Sequence, residues 1–488
     1  MMRWKLKTAA VITPLILGAC TAPVLPVNYS ARDAGFAAVE ARTSKAIGKR
    51  TVWAQSQAET VAASKQVRAM VQGKTISAET AVQVALLNNK GLQASYAQIG
   101  LSAAEAWQQS TPENPVVSIG LLGIGAPEVG LYRALESMIA VNLLDARTRK
   151  QRIAAAEAEF QHAQMQAVSD TLALANETRE AWVNAVAAFE TVSYLKRAAV
   201  TTDAAAELAQ QLGKTGALNK AAQAREQAFN AEMAGQLAQA RLDAQLAKEQ
   251  LTRLMGLWGQ DVAYYVPDAL PRVPNTVSSH RGIERLALAN RVDLEVARLG
   301  LAATAKAYGL TDATRTLTDL EVIAGAEIER EEENGEIETS VSPQVEFEFV
   351  IPIFDSGKAR LRKAELSYLQ AANVLAEQAV NVRSEARAAA TAYRSSHQIA
   401  RHYSDVVLPL RRTIDEEALL SNNGMITSTF DLLNDAREKI ASQLEAASAK
   451  REFWLASAGL TAAIYGGGSG GGGAGGETQI AAGGGAGH

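Results

Sequence analysis

The sequence has a single cysteine, Cys20, so no disulfide can form within the chain. Aromatic residues make up only 5% of it while alanine fills long stretches, a composition that suits close helix packing better than a globular catalytic core. A basic excess is missing too. Lys and Arg number 48 against 52 Asp and Glu, which removes the electrostatic footprint of a nucleic-acid partner. The five histidines, His162, His280, His397, His402 and His488, show no HExxH or other ligand spacing. His397 and His402 lie five apart, off one helical face, and read as solvated or packing residues rather than metal ligands. No nucleophile elbow, P-loop or thiol motif occurs, so no enzyme activity and no cofactor are expected. Gly120, Gly123 and Gly125 do not make a dinucleotide loop, because no strand–helix–strand pattern surrounds them. Past the first 20 residues no run of about 18 apolar residues occurs. Any membrane-spanning part must then be strands, since only helices and closed barrels satisfy their backbone in lipid.

What the chain does have is a change of period near residue 355. Val345, Phe347, Phe349, Ile351 and Ile353 alternate with Glu346, Glu348 and Val350, the pattern of a strand with one apolar and one polar face. After Asp355-Ser356-Gly357, residues Ala364, Tyr368, Ala372, Leu375, Ala379, Val382, Ala386, Ala389 and Tyr393 recur at spacings of mostly three and four, a helical seam. A strand is predicted to feed straight into a very long helix.

The pattern occurs twice. Asp145 lies 210 positions before Asp355, and the same offset puts Leu135, Ser137, Ile139, Val141 and Leu143 under the alternating set, with Glu136 under Glu346. Ala224-Arg225-Glu226 later corresponds to Ala436-Arg437-Glu438. Length alone would suggest roughly three domains, but a duplication overrides it. Each copy reads as helix, two strands, long helix and returning helix, giving four strands per chain.

The Pro-Ile-Phe-Asp-Ser-Gly junction, carrying Pro352, Phe354, Asp355 and Gly357, resembles that of the TolC-like outer-membrane efflux proteins, and the resemblance runs from about residue 76 to 463. It implies a mainly α fold with a β portion, built from two tandem repeats. Long coiled-coil-like helices would form a trimeric α-barrel in the periplasm, and four strands per chain would contribute to a 12-stranded outer-membrane β-barrel. Four strands alone are too few to close around a lumen. Transport at this component would be passive, with energy from an inner-membrane pump joined through a periplasmic adaptor protein.

Residues 1–19 read as an export signal: Arg3, Lys5 and Lys7, then an apolar run, then Leu17-Gly18-Ala19-Cys20, which resembles a bacterial lipobox with Cys20 as the lipidated residue. Thr21 follows rather than an inner-membrane retention Asp, which favours the outer membrane. Residues 20–75 are expected to form an extended arm and a short helix. The first repeat is placed at 76–257, a proline-containing connector at 258–279, the second repeat at 280–465 and a glycine-rich tail at 466–488. Within repeat one, a helix is predicted over 77–110, strands over 115–126 and up to about 143, a helix of roughly 100 Å from Asp145 to about Leu212 at ~1.5 Å per residue, and a return over 217–255. Repeat two is predicted to open with a helix over 281–308, to carry an Asn334-Gly335 hairpin, and to be interrupted near Pro409. Asn422-Asn423-Gly424 would end that helix, and Ser428 or Thr429 would cap the return.

Two candidate functional regions follow. Glu321, Glu327, Glu329, Glu346, Glu348 and Glu136 fall on the polar side of the predicted strands and would line a lumen, with Val345, Phe347, Phe349 and Ile351 facing lipid. In the resembling family an acid in the second returning helix narrows the closed end of the pore. Phe430-Asp431-Leu432-Leu433-Asn434-Asp435-Ala436 is similar to that stretch, with Asp435 the best match and Asp431 one turn earlier on the same face. Copy one has Ala222 and Gln223 here, so an acid ring would be threefold. The rival function is a lipid-anchored periplasmic coiled-coil scaffold without channel activity, but a scaffold has no need of strands with one lipid-like face.

Overall fold

The computed structural model describes residues 28–125, 132–277, 282–316, 318–333, 336–423 and 429–467. Cys20, the Asn334-Gly335 turn, Gly424, Ser428 and the tail beyond 467 lie outside the described residues. The elements run α1 (Phe36–Ile47), α2 (Gln57–Val71), α3 (Ala78–Asn88), α4 (Lys90–Ser110), β1 (Val116–Leu122), β2 (Ala134–Asn142), α5 (Leu143–Lys214) and α6 (Lys220–Leu254). They continue with α7 (Ile283–Asn290), α8 (Val292–Ala313), β3 (Leu320–Glu333), β4 (Glu336–Phe349), α9 (Lys358–His402), α10 (Leu408–Asn423) and α11 (Thr429–Tyr465). This is the predicted order, twice over. Among the described residues no helix is long and apolar enough to cross a membrane.

Two compact units divide the chain. Of the described chain, the first holds residues 28–35, 99–162 and 299–371, the sheet among them; the second holds residues 36–98, 163–298 and 372–467. In the first, the strands form one antiparallel sheet in the order β1-β2-β3-β4. Gly325 lets β2 and β3 approach, since a Cβ there would come within 2.2 Å of the Ser137 carbonyl oxygen.

In the second unit, alanines and a few large residues pack the helices. Leu195, Ala198, Met233, Leu237, Ala240 and Ile440 join α5, α6 and α11, and Val382, Ala386, Ala390, Leu460 and Ile464 join α9 and α11 to Ile283 and Ala287 of α7. The connector lies across these helices. Leu270 N–H donates to Glu190 at 2.9 Å, Trp454 Nε1–H to Pro271 O at 3.0 Å, and Arg401 to Asn275 at 2.9 Å. His397 is buried and sits 2.8 Å from Pro274 O; a carbonyl only accepts, so Nε2 carries the hydrogen. Its role is packing, one of the two expected.

Several boundaries differ from the prediction, each for a local reason. The arm contains two helices rather than one, the second capped by Ser56, whose side chain accepts from Glu59 N. The single helix predicted over 77–110 is broken at Asn89, whose side chain donates to Leu254 O and accepts from Leu92 N. Its counterpart over 281–308 is broken at Arg291, a buried side chain held by Asp293 and Glu385. Near Pro409, as predicted, α9 is interrupted, by one π-helical turn at Tyr403–Val407 in which Leu408 N–H donates to Tyr403 O. Proline supplies no N–H to the carbonyl four residues back, and a widened turn absorbs the defect.

The two strand-to-helix junctions also differ. In repeat one, β2 passes directly into α5, capped by Asn142, which accepts from Asp145 N at 3.0 Å. In repeat two, β4 stops at Phe349, so Ile351 and Ile353 lie beyond the strand that was predicted to include them. Residues 350–357 form an irregular junction before α9. Pro352 is at the centre of a tight turn closed by Ile353 N–H to Ile351 O at 2.8 Å.

Candidate functional site: a two-faced sheet and the helix-hairpin ends

The sheet sorts its side chains by the period of two. In register, Glu321 faces Glu348, Ile323 faces Glu346, Glu327 faces Ser342, and Glu329 faces Ser340; Glu136 faces Glu327. All six predicted lumen glutamates therefore lie on one face. The opposite face carries Val117, Ile119 and Leu121 of β1, Ile139 and Val141 of β2, Val322 and Ile328 of β3, and Val345, Phe347 and Phe349 of β4. Among the described residues of the sheet's own unit nothing covers the outer members: Ile119 is 70% exposed and Phe347 62%.

Like charges stand directly opposite one another at Glu321 with Glu348, Glu136 with Glu327 and Glu331 with Glu338, and such pairs are destabilising. Gln344 relieves one of them by donating Nε2–H to Glu327 at 2.8 Å. Among the described residues no group of three or more His, Cys, Asp or Glu is arranged to hold a metal ion. A face of facing carboxylates is tolerable where water can solvate it.

The junction residues do different work. Asp355 accepts from Gly357 N at 2.8 Å, and Gly357 has φ +69 with no room for a Cβ against Arg315 O, so only glycine fits. Phe354 is fully exposed. Asp145, matched to Asp355 by the repeat, is instead inside the first turn of α5, buried and paired with Arg152.

At the hairpin end of repeat one, Gly216 has φ +73 and Asn219 caps α6 by accepting from Ala222 N. In repeat two the turn is outside the described residues. Asp435 is half-buried on α11; Asp431 is on the same helix, and its side chain is outside the described residues. The cations on α11 just past Asp435, and Arg411 of α10, are committed elsewhere. Arg437 donates to Glu226 at 2.8 Å and stacks over Phe229 at 4.3 Å, Lys439 pairs with Asp415, and Arg411 bridges Glu438 at 2.6 Å and Ser442 at 3.1 Å. The Arg437–Glu226 pair has no local sequence signal, although its two residues lie in the segments that correspond between the repeats.

No protein-family profile and no curated protein sequence matches the chain. Solved structures do. The outer-membrane channel CmeC of Campylobacter jejuni superposes with a TM-score of 0.65 at 17% identity, over 80% of this chain and 85% of that one. The outer-membrane channel OprN gives 0.64 at 19% identity, over 80% and 90%. The outer-membrane protein VceC of Vibrio cholerae gives 0.63 at 16% identity, over 80% and 96%. The chain has the TolC-like outer-membrane factor fold. Within this channel fold, the repeat, the four-stranded sheet and the long helix pairs inferred from sequence are all present.

Proposed function

We propose that the chain is one subunit of a bacterial outer-membrane channel, a passive conduit in a tripartite efflux or type I secretion system. The observation that carries this is the sheet. It has one continuous apolar face, one face of glutamates, and too few strands to enclose a lumen alone. Three copies make a twelve-stranded barrel with lipid outside and water within. The fold shared with outer-membrane channels supports the same reading, as does an N-terminus resembling a lipoprotein signal that ends at Cys20. A periplasmic adaptor and an inner-membrane pump complete the route, and Cys20 carries a lipid anchor. Asp435 with Asp431 forms the threefold acidic constriction.

Purified protein in planar lipid bilayers tests this. The expected result is stepwise conductance from a trimer that favours cations. A trimer that inserts but conducts nothing would overturn the conduit and leave a scaffold.

A further inference from the structure

The sheet ends in two open edges, β1 on one side and β4 on the other. Which backbone groups lie along them follows from one hydrogen bond just past the β2–β3 ladder. Arg330 N–H donates to Arg133 O at 2.9 Å, continuing the register that sets Glu329 opposite Ala134, while Arg133 N–H turns to Leu122 O at 2.8 Å in a bulge at the end of β2. Inside the ladder the Ser137 carbonyl, close against Gly325 of β3, gives the same parity. In an antiparallel sheet, successive residues bond alternately to one neighbouring strand and to the other. Even-numbered residues of β3 therefore bond to β2, and odd-numbered ones to β4. Through the β3–β4 register, the inward-bonding residues of β4 are even-numbered, among them Gln344, Glu346 and Glu348. Val341, Pro343, Val345, Phe347 and Phe349 turn their backbone groups to the open edge. The same alternation carried through β2 leaves Val117, Ile119 and Leu121 open on β1.

These two edges fit each other. Both present the residues whose side chains lie on the apolar face, so joining them keeps that face continuous with no change of parity. Strand alternation also makes β4 antiparallel to the β1 of a following copy. Open backbone groups are not tolerated in hydrocarbon. On the outer-membrane reading above, on which this inference rests, the occupant of each edge is a second copy of this chain.

Pro343 decides where that copy sits. It is the member of the open β4 row with no N–H to give, and an outward-facing edge position is where a sheet accepts proline. A register that sets Val117, Ile119 or Leu121 opposite Pro343 leaves a carbonyl unmatched in lipid. Sliding β1 past Pro343 is no remedy, because beyond Val341 the same face carries Thr339 and Arg330. We propose that Pro343 is a register stop, and that β1 of the neighbouring copy pairs only with the part of β4 that follows it. Val117, Ile119 and Leu121 then face Phe349, Phe347 and Val345. Of the seven residues of β1, 117–122 lie beside positions 344–349, Val116 reaches one residue past the end of β4, and residues 336–342 stand free of the seam.

Disulfide trapping in the full chain reads this register. Ser118 and Glu348 become direct partners on the water-facing side, yet they occupy opposite edges of one sheet, so a bond between them joins two chains. Ser118→Cys is combined in turn with Glu348→Cys, Glu346→Cys and Gln344→Cys, with the parent chain, whose sole cysteine is Cys20, as baseline. The expected yield of cross-linked chains is highest with Glu348→Cys and falls several-fold by Gln344→Cys. Adding Pro343→Thr should raise the Gln344→Cys product several-fold. Highest yield at Gln344→Cys in the Pro343 chain overturns the proposal, as does a pattern that Pro343→Thr leaves unchanged. A trimer by size that gives no cross-link in any pair overturns the seam alone. A monomer that conducts nothing overturns the channel reading beneath it.

Discussion

Arg437 of α11 donates to Glu226 of α6 at 2.8 Å, and Glu226 is buried beneath it. One ion pair thus fastens the returning helix of one repeat to that of the other, close in sequence to the acids proposed for the constriction. Glu226→Gln removes the charge and leaves the guanidinium half-buried without a carboxylate. A hydrogen bond to a charged group contributes about 1.5–3 kcal/mol, and a loss of that order is expected in denaturant unfolding. A double-mutant cycle with Arg437→Met should give a coupling well above the few tenths of a kcal/mol found for independent sites.

The sheet faces make opposite demands on neighbouring residues. Phe347→Arg puts a cation on the apolar face, at a cost of about 2–4 kcal/mol near a bilayer midplane. Glu346→Arg puts one on the glutamate face, where it meets carboxylates. Trimer yield after membrane extraction should fall sharply for the first and little for the second. Equal yields would count against the assignment of faces.

Asp435 and Asp431 are tested together. Rings of carboxylates favour cations, so the double Asp431→Ala, Asp435→Ala variant should lose much of its cation selectivity and its block by a trivalent cation. Reversal potentials in a salt gradient measure the first, and single-channel current the second. Parental values for both would reduce these acids to solvated helix residues.

The proposed lipid anchor rests on one sulfur atom, that of Cys20. Cys20→Ser should abolish incorporation of labelled fatty acid and slow removal of the signal segment. Activity should fall only in part, since the proposed barrel would itself hold the protein in the membrane. Label appearing in the Cys20→Ser protein would refute the lipobox reading.

Acid should loosen the start of repeat one. Burial works against the charge of Glu79, but hydrogen bonds and attraction from Lys49 and Arg179 outweigh it and hold the carboxyl below its ordinary range. A depressed folded-state value means the stabilisation is present above the unfolded carboxyl pKa of about 4.3 and is lost as pH falls through the folded value. The melting temperatures of the parent and Glu79→Gln should differ at neutral pH and converge in acid. A gap that persists well below pH 4 would show that charge is not the cause.

How much of this could be read from the sequence varied with the range of the interactions involved. The faces of β3 and β4 were legible because an alternation such as Val345, Glu346, Phe347, Glu348 is set residue by residue by the pleat. The helix breaks at Asn89 and Arg291 were not. Neither residue type stops a helix by itself, and each break is held by a distant partner, Leu254 O for Asn89 and Glu385 for Arg291. The junctions were half legible. Asp355-Ser356-Gly357 marked where the period changes, but not the left-handed turn at Gly357, and the position of Asp145 inside α5 depends on the Asn142 cap rather than on its match with Asp355. At the hairpin ends, the acids could be placed on α11, whereas the Arg437–Glu226 pair spans 211 positions and leaves no local pattern.

The widened turn at Tyr403–Val407 changes the phase of everything that follows it. Each residue advances a helix by about 100°, so one extra residue in the turn swings Leu410 and Ile414 roughly that far around the axis from where an unbroken α9 would carry them. Their neighbours on α11 are matched to the swung position, as the Arg411–Glu438 and Lys439–Asp415 bridges show. A chain that gained or lost one residue here would have to re-aim the contacts of α10, so the length of this turn matters to them more than its composition.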